Sequence, residues 1–470
     1  MAAYTPTIGL EIHAELKTET KMFCGSRNDP LEERPNTHVC PICLGHPGTL
    51  PVVNRAAVTQ VLRMGAAIGG TLADYTEFDR KNYFYPDLPK GYQISQLEYP
   101  LVKGGTLAGV QVTRIHLEED TATSRHQGAV SLVDFNRAGV PLMELVTEPV
   151  IHDAKTASNF ARELQLLLRT LGAGDANMER GEMRVEANIS VSQDGTLGTK
   201  TEVKNLNSFR SVERAIEFEV ARQIQVLESG GTLVQETRGF NEETGQTFSQ
   251  RLKESSDGYR YFPDPDIPKF KLSLLAELSA DSIRASLPEL PEARRTRYAS
   301  LGLKAADIEV FVSDTVYQEF FETEVLISYE PKLIQTGVNY LLTDVRGSGV
   351  TSAEIEKLRN GAFASLIGMI VKGELSSRGG KDVLEVLIKE GGQPTEIASR
   401  IGAIQDSSSD FITRIAEAVI SSNTNPVSEY RSGKTDVLKF LVGQGMKESR
   451  GKVNPELLSK ELQRQLDAAT

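Results

Sequence analysis

Residues 7–16 alternate in polarity, with Ile8, Leu10 and Ile12 on one side and Gly9, Glu11, His13 and Glu15 on the other. A period of two is that of a half-buried strand, so one face should enter the core while the other presents carboxylates and an imidazole. The pattern returns at residues 183–191, with Val185, Ala187 and Ile189 inward and Arg184, Glu186, Asn188 and Ser190 outward. Glu202 and Lys204 again share a face, opposed to Val203. Strands of this kind predict an antiparallel sheet with one face reserved for binding. Another predicted strand ends at Ile115-His-Leu-Glu-Glu-Asp120, where three consecutive acids need a cation or solvent to compensate them.

Helical spacing governs other stretches. Phe160, Leu164, Leu167, Leu168 and Leu171 form an apolar stripe over 153–171, and helices are also expected over 55–69 and 208–228. From Leu287-Pro-Glu-Leu-Pro-Glu292 onward the alternation stops and helical pieces take over, with Pro288 and Pro291 marking a linker. The expected fold is therefore α+β. An antiparallel-sheet cradle covers residues 1–290, an all-helical domain 291–406 and a small helical tail 407–470, with serines 407–409 as a hinge.

Composition narrows the function. The chain of 470 residues has a formal net charge of −12, which argues against a generic nucleic-acid binder. Locally the sign reverses: Arg431, Lys434, Lys439, Lys447, Arg450 and Lys452 face only Asp436 and Glu448, a patch of +4 suited to a phosphate backbone. There is no signal-like leader and no apolar run long enough to span a membrane, and the three cysteines are odd in number. A cytoplasmic protein is expected. Cys40-Pro-Ile-Cys43 has the spacing of a metal knuckle and Cys24 could join it; Ser26 and His38 stand nearby in sequence. Zinc and free thiols both remain open at this point.

The stretch Phe78-Asp-Arg-Lys-Asn-Tyr-Phe-Tyr-Pro-Asp-Leu-Pro-Lys-Gly-Tyr-Gln-Ile-Ser-Gln96 combines Arg80, Lys81 and Lys90 with three adjacent aromatics, Tyr83 to Tyr85. Pro86 and Pro89 stiffen it, so it can aim side chains at a ligand at low entropic cost. A basic loop beside several carboxylates suits Mg-ATP. No Walker-type loop is present, since the glycine that Gly433-Lys-Thr435 would require falls at Ser428. The serine-rich pattern of an amidase is missing as well. If the product is an amide, its ammonia must come from another chain.

The stretch 78–96 resembles the signature of the B subunits of the tRNA-dependent amidotransferases, the GatCAB family. Further matching pieces follow in the family's order: Gly9-Leu-Glu-Ile-His-Ala-Glu15, Pro47-Gly-Thr-Leu-Pro-Val-Val-Asn54, Leu132-Val-Asp-Phe-Asn-Arg137, Lys204-Asn-Leu-Asn-Ser208, Tyr259-Arg-Tyr-Phe-Pro263 and Phe440-Leu-Val-Gly443. The resemblance implies a heterotrimer with an amidase (A) subunit and a small C subunit. It implies ATP-dependent phosphorylation of Glu or Asp on mischarged tRNA, followed by displacement of phosphate by ammonia. Magnesium would be held by Glu11, His13, Glu119 and Glu186, which would also be the catalytic residues; the family commonly has aspartate where this chain has Glu186. Glu118 and Glu144 are further candidates. Arg80, Lys81, Tyr83, Lys90 and Lys204 are expected to contact the nucleotide or the ammonia path. Many relatives carry a second cysteine at the position of Ser26, so a zinc site on Cys24, Cys40 and Cys43 would be incomplete. Ser26 and Glu186 also suit a non-catalytic tRNA-binding scaffold, and the carboxylates alone would suit a metal hydrolase.

Overall fold

The computed structural model describes residues 3–252, 256–406, 408–449 and 451–468, arranged in two compact units, Met1–Pro291 and Glu292–Thr470. The first unit is built on a ten-stranded sheet. Strand β1 (Thr5–Glu15) runs through its middle, between β5 (Pro141–Thr147) and β6 (Met183–Ser192). Beyond β5 lies β4 (Val110–Glu119), and beyond β6 come β7 (Thr201–Leu206), β8 (Glu236–Asn241) and β9 (Gln246–Leu252). A separate small sheet joins β2 (Asp79–Asn82), β3 (Tyr92–Ser95) and β10 (Phe262–Pro263).

Most pairs are antiparallel, as the alternation predicts. The exception is β7–β8, which is parallel. Two parallel neighbours cannot be joined by a hairpin and need a crossover, here helix α3 (Phe209–Glu228).

The apolar side of β1 (Ile8, Leu10, Ile12, Ala14) is fully buried, together with Ile115 and Leu117 of β4 and Val185, Ala187 and Ile189 of β6. This side forms one cluster with α1 (Arg55–Ala67), α2 (Ala154–Thr170) and α3. Each of these helices begins on a capping side chain: Asn54, Asp153 and Ser208 accept hydrogen bonds from the first-turn amides. The stripe read from the sequence of α2 is the one buried, with Phe160, Leu164 and Leu168 at zero exposure.

The second unit is helical. Among the described residues no strand follows Lys271, and only an isolated bridge joins Leu375 and Ile404. Phe311 and Phe321 stack at 4.3 Å in its core. The last four helices close a smaller cluster of their own around Ile415, Val419, Leu441, Leu458 and Leu462. No helix among the described residues is long and apolar enough to cross a membrane.

Because Leu164 closes the space between α2 and the sheet, Leu164→Ala should lower stability by about 2–5 kcal/mol. Urea unfolding should show the loss as a lower midpoint without a change of slope.

Candidate active site

Strand pairing gathers the polar side chains into rows. His13 lies opposite Glu144 on β5 and Arg184 on β6, while Glu144 lies opposite His116 on β4. Glu11 lies opposite Glu186, and Asn188 opposite Glu202 on β7. All these side chains leave the sheet on the side away from the apolar core, because they occupy alternate positions to the buried residues.

The resulting contacts are tight. His13 Nε2 stands 3.5 Å from Glu118 Oε1 and 3.3 Å from Glu144 Oε2. His116 Nε2 reaches the same two carboxylates at 3.8 and 3.3 Å. Lys204 Nζ lies 2.6 Å from Glu186 Oε2 and 4.0 Å from Glu202. Ser95 of β3 donates a hydrogen bond to Glu118 at 2.9 Å, fixing its second oxygen.

So many charges in a buried row shift one another. Burial disfavours an imidazolium at His13, but its hydrogen bond to Glu144 and the carboxylates around it outweigh that and push its pKa up to about 9. His116 rises to about 9 by the same balance. Glu11 is pushed up to about 7 by burial and by the neighbouring Glu144 and Glu186. Glu144 is held well below the usual carboxylate range: burial opposes its charge, but the two imidazoles beside it prevail.

Of the four residues expected to share a metal, the structure brings together Glu11, His13 and Glu186 and leaves Glu119 apart. Glu119 follows Glu118 in the strand and therefore points to the opposite side. Its Oε1 accepts the Ile94 amide at 2.9 Å and pairs with Lys90 Nζ at 2.5 Å. The position beside His13 is taken by Glu118. Sequence reasoning passed over His116, although the alternation itself contained the signal: within 115–120 the even-numbered residues share a face, which joins His116 to Glu118.

The hairpin β2–β3 divides its basic residues in the same way. Arg80 turns to one side, where Asp264 and Asp266 each hold its guanidinium at 2.7 Å and Tyr92 lies under it at 4.3 Å. Arg80 and Lys90 line a cavity of about 250 Å³ with Glu119, Tyr92 and the 42–49 loop. Gly45 has a positive φ of 70° and sits against Lys90, where a Cβ would collide with the Lys90 side chain. Lys81, the next residue, turns to the other side, with Tyr83 and Tyr259 beside its amine; burial opposes its charge, but the charges of Glu118 and Glu144 prevail and raise its pKa.

The three cysteine sulfurs lie within 4.8 Å of one another. Cys43 accepts the Cys40 amide at 3.1 Å, and buried Lys21 sends its ammonium to 3.9 Å from the same sulfur. The hydrogen bond from Cys24 is the largest influence lowering the Cys43 thiol to about 5. Ser26 Oγ is 4.0 Å from Cys43, whereas His38 sits beside Glu32 and Asp29 at 3.6 and 4.0 Å. The thiols thus fit three corners of a zinc tetrahedron, and His38 is not at the fourth.

Comparison with known proteins agrees along the whole chain. A family profile described as the GatB/GatE catalytic domain matches residues 6–275, and one described as the GatB domain matches residues 319–466. The B subunit of the aspartyl/glutamyl-tRNA(Asn/Gln) amidotransferase of Persephonella marina is 42% identical, over 98% of this chain and 99% of that one. Its namesake from Nitratidesulfovibrio vulgaris is 42% identical over 98% of each chain, and that from Brevibacillus brevis 39% identical over 100% of each.

At the end of β1, Arg184 Nη2 holds Asp120 at 2.9 Å and Arg137 approaches it at 3.7 Å. Glu15, beside this group, is pushed up to about 8 by burial and by the Asp120 charge, against the pull of both arginines. The folded protein therefore keeps a proton on Glu15 from the ordinary carboxylate range of about 4.3 upward, where the unfolded chain does not. Stability should fall as pH rises through that window and level off above about 8. Glu15→Gln should flatten the decline, which calorimetric Tm values taken from pH 5 to 9 would reveal; an unchanged slope would show that Glu15 titrates normally.

Proposed function

Because the chain belongs to the family of aspartyl/glutamyl-tRNA(Asn/Gln) amidotransferase B subunits, we propose that its polar sheet face is where ATP activates the side-chain carboxylate of Glu or Asp on mischarged tRNA. The enzyme is a carbon–nitrogen ligase acting on aminoacyl-tRNA, and this chain works with partner subunits that release ammonia from glutamine. The observation that carries the assignment of the site is His13, placed between Glu118 and Glu144 with Glu11 and Glu186 on the same face.

The residues fit a divalent cation: ligand atoms of Glu11, His13 and Glu144 lie within 4.8 Å of one another, as do those of Glu11, Glu186 and Glu202. Magnesium held by these residues would supply positive charge to offset that of the transferring phosphoryl group. Lys81 and Lys204 add two ammonium groups at the same face, and His13 serves as ligand or as an imidazolium. Glu119, Lys90 and Tyr92 line the adjoining cavity, which suits another part of the nucleotide. Arg80 is committed to Asp264 and Asp266 and acts by holding the hairpin in place. Among the described residues no fourth Cys, His or carboxylate joins the three thiols, so zinc would have at most a structural place there, and no step passes through it. We place the complex in the cytoplasm, where aminoacyl-tRNA is made.

The tail would hold tRNA. Arg431, Lys434, Lys439, Lys447 and Lys452 are all exposed, while Arg450 lies outside the described residues. This assigns the three parts of the chain: catalysis to 1–290, support to 291–406 and tRNA contact to 407–470.

His13→Ala should reduce ATP- and tRNA-dependent phosphate release by roughly 10²–10³, while glutamine hydrolysis by the partner and tRNA binding persist. Phosphate release at the wild-type rate would remove the sheet face from the reaction. For the tail, the combined change Lys434→Ala, Lys439→Ala, Lys447→Ala should raise the KM for aminoacyl-tRNA. It should also flatten the plot of log affinity against log salt by about 0.9 for each phosphate no longer neutralised. Unchanged KM and slope would make the patch ordinary solvated surface.

A further inference from the structure

Lys81 is boxed by rings that no strand pattern accounts for. Its Nζ lies 5.1 Å from the Tyr259 ring centre and 5.9 Å from that of Tyr83. Tyr83 and Tyr259 meet edge to face at 6.0 Å, and Tyr259 and Tyr261 at 6.2 Å. The two tyrosines of the second segment flank Arg260, which has a φ of +44° although it is not glycine. Such a backbone is uncommon outside Gly, Asn and Asp and costs on the order of 1 kcal/mol or more, so surrounding structure must hold it.

The holding group is Asn82. Its side-chain amide donates to the Arg260 carbonyl at 2.8 Å and to the Tyr259 carbonyl at 3.3 Å. On the far side, Phe262 and Pro263 pair with Arg80 and Asp79, which anchors the segment to β2. The Arg260 side chain itself is exposed, so the strained turn does nothing for its own residue. What the turn does is set Tyr259 against Tyr83 and Lys81. Tyr83 in turn donates to Gln93 at 3.2 Å, and Gln93 donates to the Glu119 carbonyl at 2.7 Å, which ties the box to the end of β4.

We propose that Tyr259 and Tyr261, set by the left-handed turn at Arg260 and the Asn82 clamp, are positioning residues that aim the Lys81 ammonium at the carboxylate face. The inference rests on the assignment of that face to phosphoryl transfer. An ammonium on a four-carbon stem has many rotamers in water. The Tyr83 and Tyr259 ring faces attract it electrostatically and narrow its choice of directions, and the charges of Glu118 and Glu144 draw it toward the carboxylate face. A positioned cation is of use only when phosphoryl charge develops, so the box should act on turnover rather than on substrate affinity.

The test uses the reconstituted complex with its partner subunits, ATP and mischarged tRNA. Tyr259→Leu and Tyr261→Leu should each lower kcat for phosphate release about tenfold, with the KM for ATP and for aminoacyl-tRNA changed less than about twofold. Tyr259→Phe keeps the ring and should restore the rate. Arg260→Gly, which adopts a positive φ freely, should leave the rate within about twofold, whereas Arg260→Val should match the Leu variants. A readout apart from activity is peptide-resolved acetylation of Lys81 by a lysine-directed reagent. Acetylation should rise several-fold in Tyr259→Leu and stay at the wild-type level in Tyr259→Phe.

Lys81→Met and His13→Ala together separate the two claims. Full activity of Lys81→Met would show that its ammonium is not used and would overturn the positioning role with it, whereas loss of the face itself is read from wild-type phosphate release in His13→Ala. Loss in Lys81→Met with wild-type kcat and Lys81 labelling in the Leu variants would overturn the positioning role alone. A Leu variant that raises only the KM for aminoacyl-tRNA would also overturn it, and would make the rings a contact surface for the acceptor end.

Discussion

Carboxylates packed on one face of one sheet repel each other, and the architecture around the site answers that repulsion. Glu11, Glu118, Glu144, Glu186 and Glu202 all leave the sheet on the same side, and four of them stand 4.0 Å or less from an imidazole or ammonium nitrogen. Glu11, the fifth, is the one pushed up to about 7. In a medium less polarisable than water an uncompensated carboxylate is costly, so His13, His116 and Lys204 are part of what lets this face exist. The same arrangement makes the face receptive to a further cation, because the negative charge is concentrated rather than dispersed.

The hairpin Asp79–Ser95 extends this logic outward. Its alternation sends Arg80 to one side and Lys81 to the other. Arg80 is consumed by two aspartates and a ring, which makes the hairpin rigid. Lys81 is left with rings and with the carboxylate face. A stiff support and an aimed cation thus come from adjacent residues, and the prolines at 86 and 89 limit how far the turn between the strands can move.

Much of this was legible in the sequence, because a two-residue period and a helical stripe are local signals. Ile8, Leu10 and Ile12, the stripe of α2 and the shared face of Glu11 and His13 could all be read that way, whereas the meeting of that face with Glu186 came only from the family resemblance. What could not be read depends on register and long-range pairing. Whether Glu118 or Glu119 faces His13 is decided by one residue of phase, and a slip of one inverts every side chain. The parallel β7–β8 pair follows from where α3 returns the chain. The box around Lys81 joins residues more than 170 positions apart through Asn82, and no local pattern announces a left-handed arginine. At the cysteines, spacing pointed to metal, while the nearest added group is Lys21, whose burial a strand pattern does not reveal.

Glu186, at a position where the resemblance implies aspartate, is accommodated by its neighbour Lys204. β6 and β7 are joined with an irregular register between Val185 and Ala187, just at this residue. The additional methylene carries the carboxylate across to Lys204, which it holds at 2.6 Å while Glu202 stays at 4.0 Å. A shorter side chain would end nearer the sheet and leave Lys204 closer to an even choice between the two acids. In this chain Glu186 holds the lysine and Glu202 stands further off, so the charge of the face stays compensated. The longer side chain thus keeps both its charge and a charged partner on the face.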